Sequence, residues 1–278
     1  MTTIIRRRKL GMSSVKGICN FSRTGMSWVR SDRPLPRDAV YVRWGCTADV
    51  PADVVINKAK AIHEVNDKRG FRAKLDDHDL CPRTWFDVDA VPEEEFINGV
   101  ILRPAHHAQG RRLWKLHSRA QLAKQCIGIG DYYISSYIAK EREYRVFVVQ
   151  GRAVCVAEKT PDNPNAIAWN VAKGGRFDNV RWDNWPLKAV RVAIEGFNLS
   201  SLDFGGVDVM VAGGECYILE INSAPSLTSP YRQQCMARGL DYLVTEGRER
   251  IPLAEERGGY KKFIHPAVCE RAILKEVA

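Results

Sequence analysis

The sequence contains no apolar run long enough to cross a bilayer, a span that takes about 20 predominantly apolar residues. Basic residues Arg6, Arg7, Arg8 and Lys9 are not followed by an apolar h-region, so no secretory signal is expected. Cys-x-x-Cys pairs are missing, as is any Cys/His set with zinc-finger spacing. The eight cysteines (19, 46, 81, 126, 155, 216, 235 and 269) are scattered, several inside apolar runs where cysteine acts as a small hydrophobe. Free thiols in a reducing cytoplasm are the expectation. No Gly-x-x-x-x-Gly-Lys-Ser/Thr occurs, which removes a Walker-type phosphate loop. Internal repeats and low-complexity tracts are absent too.

What is present suits a folded, anion-seeking protein. Of 278 residues, 45% are hydrophobic, enough for one large domain or two or three intimately packed lobes. The formal charge of +9 favours anionic partners such as nucleotides, acidic peptides or nucleic acid. Beyond the first ten positions the basic residues are dispersed, as ordinary solubility charge would be.

Periodicity and turn residues give an α+β pattern of antiparallel hairpins with helices laid against them. Strands are expected at 3–10, 39–44, 98–103, 113–116, 131–138, 143–149, 152–158, 204–211 and 215–222. Gln150-Gly151 and Gly213-Gly214 read as tight hairpin turns. Helices are expected after an N-cap at Ser13 or Ser14, and at 53–69, 118–126, 186–197, 229–245 and 265–277. Residues 161–184 read as loop.

The sharpest feature is Gly206-Val207-Asp208-Val209-Met210, a Gly-Gly turn, then Cys216-Tyr217-Ile218-Leu219-Glu220-Ile221-Asn222. Strand alternation puts Glu220 and Asn222 on one face, Leu219 and Ile221 on the other. Hairpin pairing brings Asp208 towards them. Three oxygen-bearing side chains beside an apolar hairpin suit magnesium, which takes few protein ligands and fills its octahedron with water and phosphates. A structural salt bridge from Glu220 to an arginine is the plainer alternative.

Asp208, Glu220 and Asn222 within "GVDVM…YILEINSAPSL" resemble the metal-binding signature of the ATP-grasp superfamily. The flavour is that of ligases adding glutamate to a ribosomal protein, and of shorter phage-encoded relatives. The resemblance runs from about residue 60 to 232. It implies an ATP-grasp fold, two α/β lobes clasping the nucleotide, with a short N-terminal α/β lobe. The implied division is 1–55 N-terminal lobe, 56–130 small lobe, 131–245 large lobe and 246–278 helical segment.

The same resemblance implies site residues. Lys68 in "NDK" and Arg103 would reach phosphates, Arg103 standing where the family usually has lysine. Ile101, Met210 and Leu219 would sandwich adenine, and backbone near Tyr137 and Ile138 would bond its edge. Glu143 would lie near the ribose, unless it merely pairs with Arg145. Lys159 would face the phosphates. "WNVAKGG" resembles the family's "N-x-x-x-GG", with Asn170 on the acceptor side, but Ala168 replaces a frequent arginine. Lys159, Lys173 and Arg176 are the candidate replacements.

The activity implied is cytoplasmic: ATP with Mg²⁺ (Mn²⁺ as the alternative) activates a carboxylate for attack by an amine on a small molecule, peptide or modified nucleic acid. Two other readings stay open. One is an ATP-binding module without catalysis. The other is action on nucleic acid, through the basic and aromatic mixture of Trp28, Arg30, Arg33, Arg37, Arg43 and Trp44.

Overall fold

The computed structural model describes residues 1–7, 11–105, 112–163, 166–169 and 174–263. Its first sheet holds β1 (Thr2–Arg6), β2 (Ser27–Arg30), β3 (Val40–Trp44) and β4 (Val55–Ile56) in the order β2-β1-β3-β4. All its neighbouring pairs are parallel, unlike the hairpins expected throughout. Parallel strands need crossovers, and α1 (Met12–Phe21) supplies the first.

Gly11, not Ser13 or Ser14, is the N-cap of α1. Its φ is 67°, and a Cβ there would lie 2.6 Å from the Trp44 indole nitrogen, so only glycine fits. Ser14 serves packing instead: its Oγ accepts from the Leu227 amide at 2.9 Å. The stretch expected as one helix over 53–69 divides into β4, α2 (Ala59–Asn66) and α3 (Lys68–Asp76). The break falls at Asp67, whose carboxylate accepts from the Gly70 amide at 3.1 Å as an N-cap. Lys68 thereby becomes the first residue of α3.

The second sheet is antiparallel: β5 (Thr84–Trp85), β6 (Val100–Pro104), β7 (Trp114–Leu116) and β8 (Tyr132–Ser136), ordered β5-β8-β6-β7. With α4 (Glu95–Asn98) and α5 (Arg119–Cys126) it encloses its own core of Trp85, Val91, Phe96, Val100, Leu102, Leu122 and Ile134. Two details shift the expected lobe division. β8 pairs with β6, so it belongs to this sheet and not to a large lobe starting at 131. Conversely, α2 and α3 send Ile62, Val65, Phe71 and Leu75 into the main core.

The main core lies on the third sheet: β9 (Arg142–Val149), β10 (Arg152–Thr160), β11 (Arg176–Val180), β12 (Phe204–Ala212) and β13 (Glu215–Asn222). Its order is β11-β10-β9-β12-β13, all antiparallel. Both expected tight turns form, with positive φ at Gln150, Gly151, Gly213 and Gly214, as two-residue turns matching strand twist require. β11 arises inside the stretch read as loop, because Arg-Phe-Asp-Asn-Val offers no apolar alternation. The helices α6 (Leu187–Asn198) and α7 (Pro230–Thr245) pack on this sheet. A final helix, α8 (Arg257–Phe263), is pinned by the Tyr260 hydroxyl donating to the Ala153 carbonyl at 2.7 Å. The helix expected at 265–277 lies outside the described residues.

The basic and aromatic stripe is divided, with Arg33 and Arg37 exposed and Trp28 and Arg30 half-buried. Trp44 is fully buried and stacks on Phe204, Arg43 donates to the Cys46 and Ala48 carbonyls, and Arg30 is bonded to Asp32. The seven described cysteines are free thiols, and five are buried as small core hydrophobes. No described helix is long and apolar enough to cross a membrane.

Candidate functional site

The third sheet aligns Arg145, Asp208 and Glu220 in one cross-strand row. Asp208 pairs in register with Arg145 on β9 and with Glu220 on β13. Asn222 sits two pairs further along, opposite Gly206. Between Asp208 and Val209 the register slips, because Ile218 faces Val209 and Leu219 is an extra residue on β13. Such a bulge breaks strict alternation. Ile218 and Ile221 stay in the core, while Leu219 turns with Met210 to the larger cavity between the second and third sheets. The expectation that Leu219 shares a face with Ile221 is therefore corrected.

Arg72 holds this bulge, donating to the Ile218 carbonyl at 3.1 Å and the Leu219 carbonyl at 3.0 Å. One helical turn before it, Lys68 Nζ bonds Glu220 Oε1 at 2.7 Å. The salt bridge at Glu220 thus exists, with a lysine in place of an arginine. Lys68, Arg72, Arg103, Tyr133, Leu219 and Glu220 border a void of about 30 Å³.

Asp208 accepts from Arg145 Nε at 2.6 Å, from a second Arg145 nitrogen at 2.8 Å and from Lys159 Nζ at 2.7 Å. Lys159 also donates to Glu143, whose other oxygen takes Lys140 Nζ. Glu143 is thus clamped by two lysines and not paired with Arg145. Burial alone would raise the Asp208 carboxyl; Arg145 and Lys159 outweigh it and hold the group well below the usual carboxylate range. Glu220 is lowered too, its burial overcome chiefly by Lys68. The two lysines on Glu143 diverge. For Lys159, burial is outweighed by Asp208 and Glu143, and its ammonium is raised. For Lys140, burial prevails and the ammonium is lowered.

A cavity of about 380 Å³ opens between the second and third sheets. Ile101 and Arg103 reach it from β6, alternating with Val100 and Leu102 in the small core. Met210 and Leu219 line the opposite side, and Tyr137, Ile138 and Lys140 the connecting segment. Arg176 stays apart: its side chain is 72% exposed and bonds Asp178 at 3.1 Å. Lys173 and Asn170 lie outside the described residues. Sequence reasoning missed Arg72, Lys140 and Trp169. Only Arg72 carried a signal, standing four residues after Lys68 on one helix face.

The donor set fits a hard divalent cation. Asp208 and Glu220 face each other, both ionised, and a carboxylate offers about four lone-pair positions. Asp208 Oδ1 has one donor and Glu220 Oε1 one, leaving lone pairs for a metal. The buried Asn222 amide nitrogen has no partner among the described residues. A half-turn of that amide exchanges nitrogen for oxygen. Among the described residues no group of three or more His, Cys, Asp and Glu could hold a metal, so the set is two carboxylates and one amide. Oxygen donors of this kind suit Mg²⁺.

Gly206, paired with Asn222, packs closely against Pro225. A Cβ there would meet Pro225 Cβ at 2.8 Å. Gly206→Ala is expected to cost about 1–3 kcal/mol through overpacking. The thermal midpoint then falls by about 2–12 °C; an unchanged midpoint would show that the Pro225 loop yields without strain.

A family model, the RimK-like ATP-grasp domain, matches residues 94–237, just over half of the chain. The chain belongs to the RimK-like ATP-grasp family. The ATP-grasp fold and its mixture of helices and sheets are those that the sequence resemblance implied. The ATP-grasp ligase PsnB, complexed with minimal precursor, aligns at TM-score 0.64 and 13% identity, over 88% of this chain and 99% of that one. The macrocyclase MdnC from Microcystis aeruginosa MRC, bound with precursor peptide MdnA, aligns at 0.61 and 12%, over 87% and 98%. D-alanine–D-alanine ligase from Bacillus anthracis, complexed with ATP, aligns at 0.58 and 10%, over 100% and 98%. At such identities the likeness is one of fold. No curated protein matches this RimK-like ATP-grasp chain.

Proposed function

We propose that this chain is an ATP-dependent carbon–nitrogen ligase of the acid–amine type. The γ-phosphoryl group of ATP passes to a substrate carboxylate, releasing ADP. An amine then attacks the acyl phosphate, and phosphate leaves as the amide forms. The observation that carries the reading is the row of Arg145, Asp208 and Glu220, set beside a nucleotide-sized cavity and ringed by lysines.

In this reading Ile101, Met210 and Leu219 flank the adenine ring, and backbone groups of Tyr137 and Ile138 bond its edge. Lys68, Arg103 and Lys159 hold phosphate oxygens. Around the cleft stand six cations (Lys68, Arg72, Arg103, Lys140, Arg145, Lys159) against three carboxylates (Glu143, Asp208, Glu220). That surplus draws a polyphosphate in and stabilises charge during transfer. Asp208, Glu220 and Asn222 would hold Mg²⁺, which supplies charge neutralisation at the phosphates. Where the resemblance expects an arginine at Ala168, Arg145 is the guanidinium held inside the site, on Asp208.

The substrate is taken to be a peptide. Support comes from PsnB and MdnC, whose structures hold precursor peptides. The test incubates the chain with ATP and Mg²⁺ against separate pools of peptides, amino acids, small amines and nucleic acid. ADP and phosphate are expected with the peptide pool, together with a product lighter by one water per amide formed. AMP in place of ADP sinks the acyl-phosphate route, and ADP only with another pool sinks the peptide.

A further inference from the structure

Lys140, Glu143, Lys159, Asp208 and Arg145 form one bonded chain. Lys140 and Lys159 donate to Glu143, and Lys159 and Arg145 donate to Asp208. The five side chains are 3–12% exposed. Three cations therefore share two carboxylates. Glu220, beside Asp208, does not make up the difference, because it is bonded to Lys68. A buried charge is costly unless it is paired, so this network is one negative charge short.

The shortage lies at the cavity end. Of these five described side chains, Lys140 alone lines the cavity of about 380 Å³. An ammonium has three N–H donors. Glu143 takes one of them, and the Trp169 ring, its centre 4.5 Å from Nζ, flanks the group without accepting a conventional hydrogen bond. Glu143 itself is 3% exposed with both oxygens taken. A ligand in the cavity thus meets the ammonium in front of that carboxylate.

The charge on the cavity wall agrees. Its described lining holds Arg72, Arg103 and Lys140 and no carboxylate. Arg72 is committed to the carbonyls of residues 218 and 219, which leaves Arg103 and Lys140 facing the space. Burial lowers the Lys140 ammonium in spite of Glu143, and the charges of Lys159 and Arg103 lower it further. An anion seated between Arg103 and Lys140 would relieve both.

We infer that Lys140 is a binding residue for the α-phosphate of the nucleotide, its ammonium aligned by Glu143 and opposed by Arg103. The inference rests on the ATP reading of this cavity. Chain order places the contact. Lys140 follows by three residues Tyr137, whose backbone bonds the base edge in that reading. It stands one carboxylate away from Lys159, which holds phosphates nearer the metal. The phosphate joined to the nucleoside falls between them.

The test compares the full chain with Lys140→Met, which keeps an unbranched stem beside Trp169 and removes the charge. A hydrogen bond to a charged group is worth about ten- to hundredfold in affinity. Calorimetric affinities for AMP, ADP and ATP are expected to fall by one common factor in that range, and the loss to persist with 2′-deoxy- and 3′-deoxy-AMP. Adenosine, followed by ligand-observed NMR at millimolar concentration, is expected to bind both chains within twofold. The ligand-free thermal midpoint should hold or rise, since the remaining network is balanced. A purely structural lysine would lower that midpoint and leave every affinity alone.

AMP affinity within twofold of the unaltered chain overturns the inference. So does an equal loss with adenosine, or a loss that vanishes with one deoxynucleotide, since either moves Lys140 to the base or sugar. A loss confined to ADP and ATP moves it to the later phosphates and overturns the inference as well. In each of these cases the ATP reading stands. No ATP binding by the unaltered chain overturns both.

Discussion

Glu220→Gln is expected to lower ATP turnover about a thousandfold at saturating magnesium, with an unchanged far-UV circular dichroism spectrum. The substitution keeps volume and shape and removes one negative charge. A metal clamp contributes several kcal/mol to the charge developing in phosphoryl transfer, and about 4 kcal/mol corresponds to a factor of about a thousand. Stability should change little. The Glu220 side chain is 40% exposed to the cleft and its partner Lys68 20%, so the pair is worth at most about 1 kcal/mol, and Lys68 can turn to water. This separates the metal role from the salt-bridge role. If Glu220 only held Lys68, the variant would lose a little stability and keep turning ATP over. Turnover within tenfold of the unaltered chain removes Glu220 from the metal set.

Asp208→Asn is expected to act on both stability and activity. Its carboxylate is 5% exposed and is shared by Arg145 and Lys159. Without it Lys159 keeps Glu143, and Arg145 keeps no bonded carboxylate among the described residues. Removing one partner of a buried ion network costs about 3–5 kcal/mol, so the thermal midpoint should drop by about 6–20 °C. The pH dependence identifies the cause. The Asp208 carboxyl is lower in the folded chain than in the unfolded one, so its contribution is complete above the unfolded value of about 4 and fades as pH falls towards the folded value. Denaturant titrations should show a constant gap between variant and unaltered chain from about pH 5 to 8, narrowing below about pH 4. A gap that does not narrow in acid means that the loss comes from packing and not from the ionised carboxylate.

The legible parts of this molecule were those written in one element's own residues. The β12–β13 hairpin announced itself through its Gly-Gly turn and flanking apolar alternation, and with it Asp208, Glu220 and Asn222. Ile101 and Arg103 share a face because strand alternation is local. What was hidden depended on partners far along the chain. Nothing in the run Ala59 to Asp76 tells that Arg72 will reach the carbonyls of residues 218 and 219. The parallel order of the N-terminal sheet is set by crossovers, which leave no short-range mark. β11 is an edge strand of mostly polar residues, so neither period nor composition distinguished it from loop. Trp169 lies in a stretch with no regular structure.

The extra residue in β13 separates two demands that a regular strand would couple. Ile218 and Ile221 answer to the core, Glu220 to the carboxylate row, and Leu219 to neither. In a strand of strict alternation, any side chain added to one face displaces the whole sequence beyond it by one step. Here the addition is absorbed where it occurs. In the proposed reading, a change of size at Leu219 therefore reshapes the cavity wall while the acidic pair and the interior behind it keep their places.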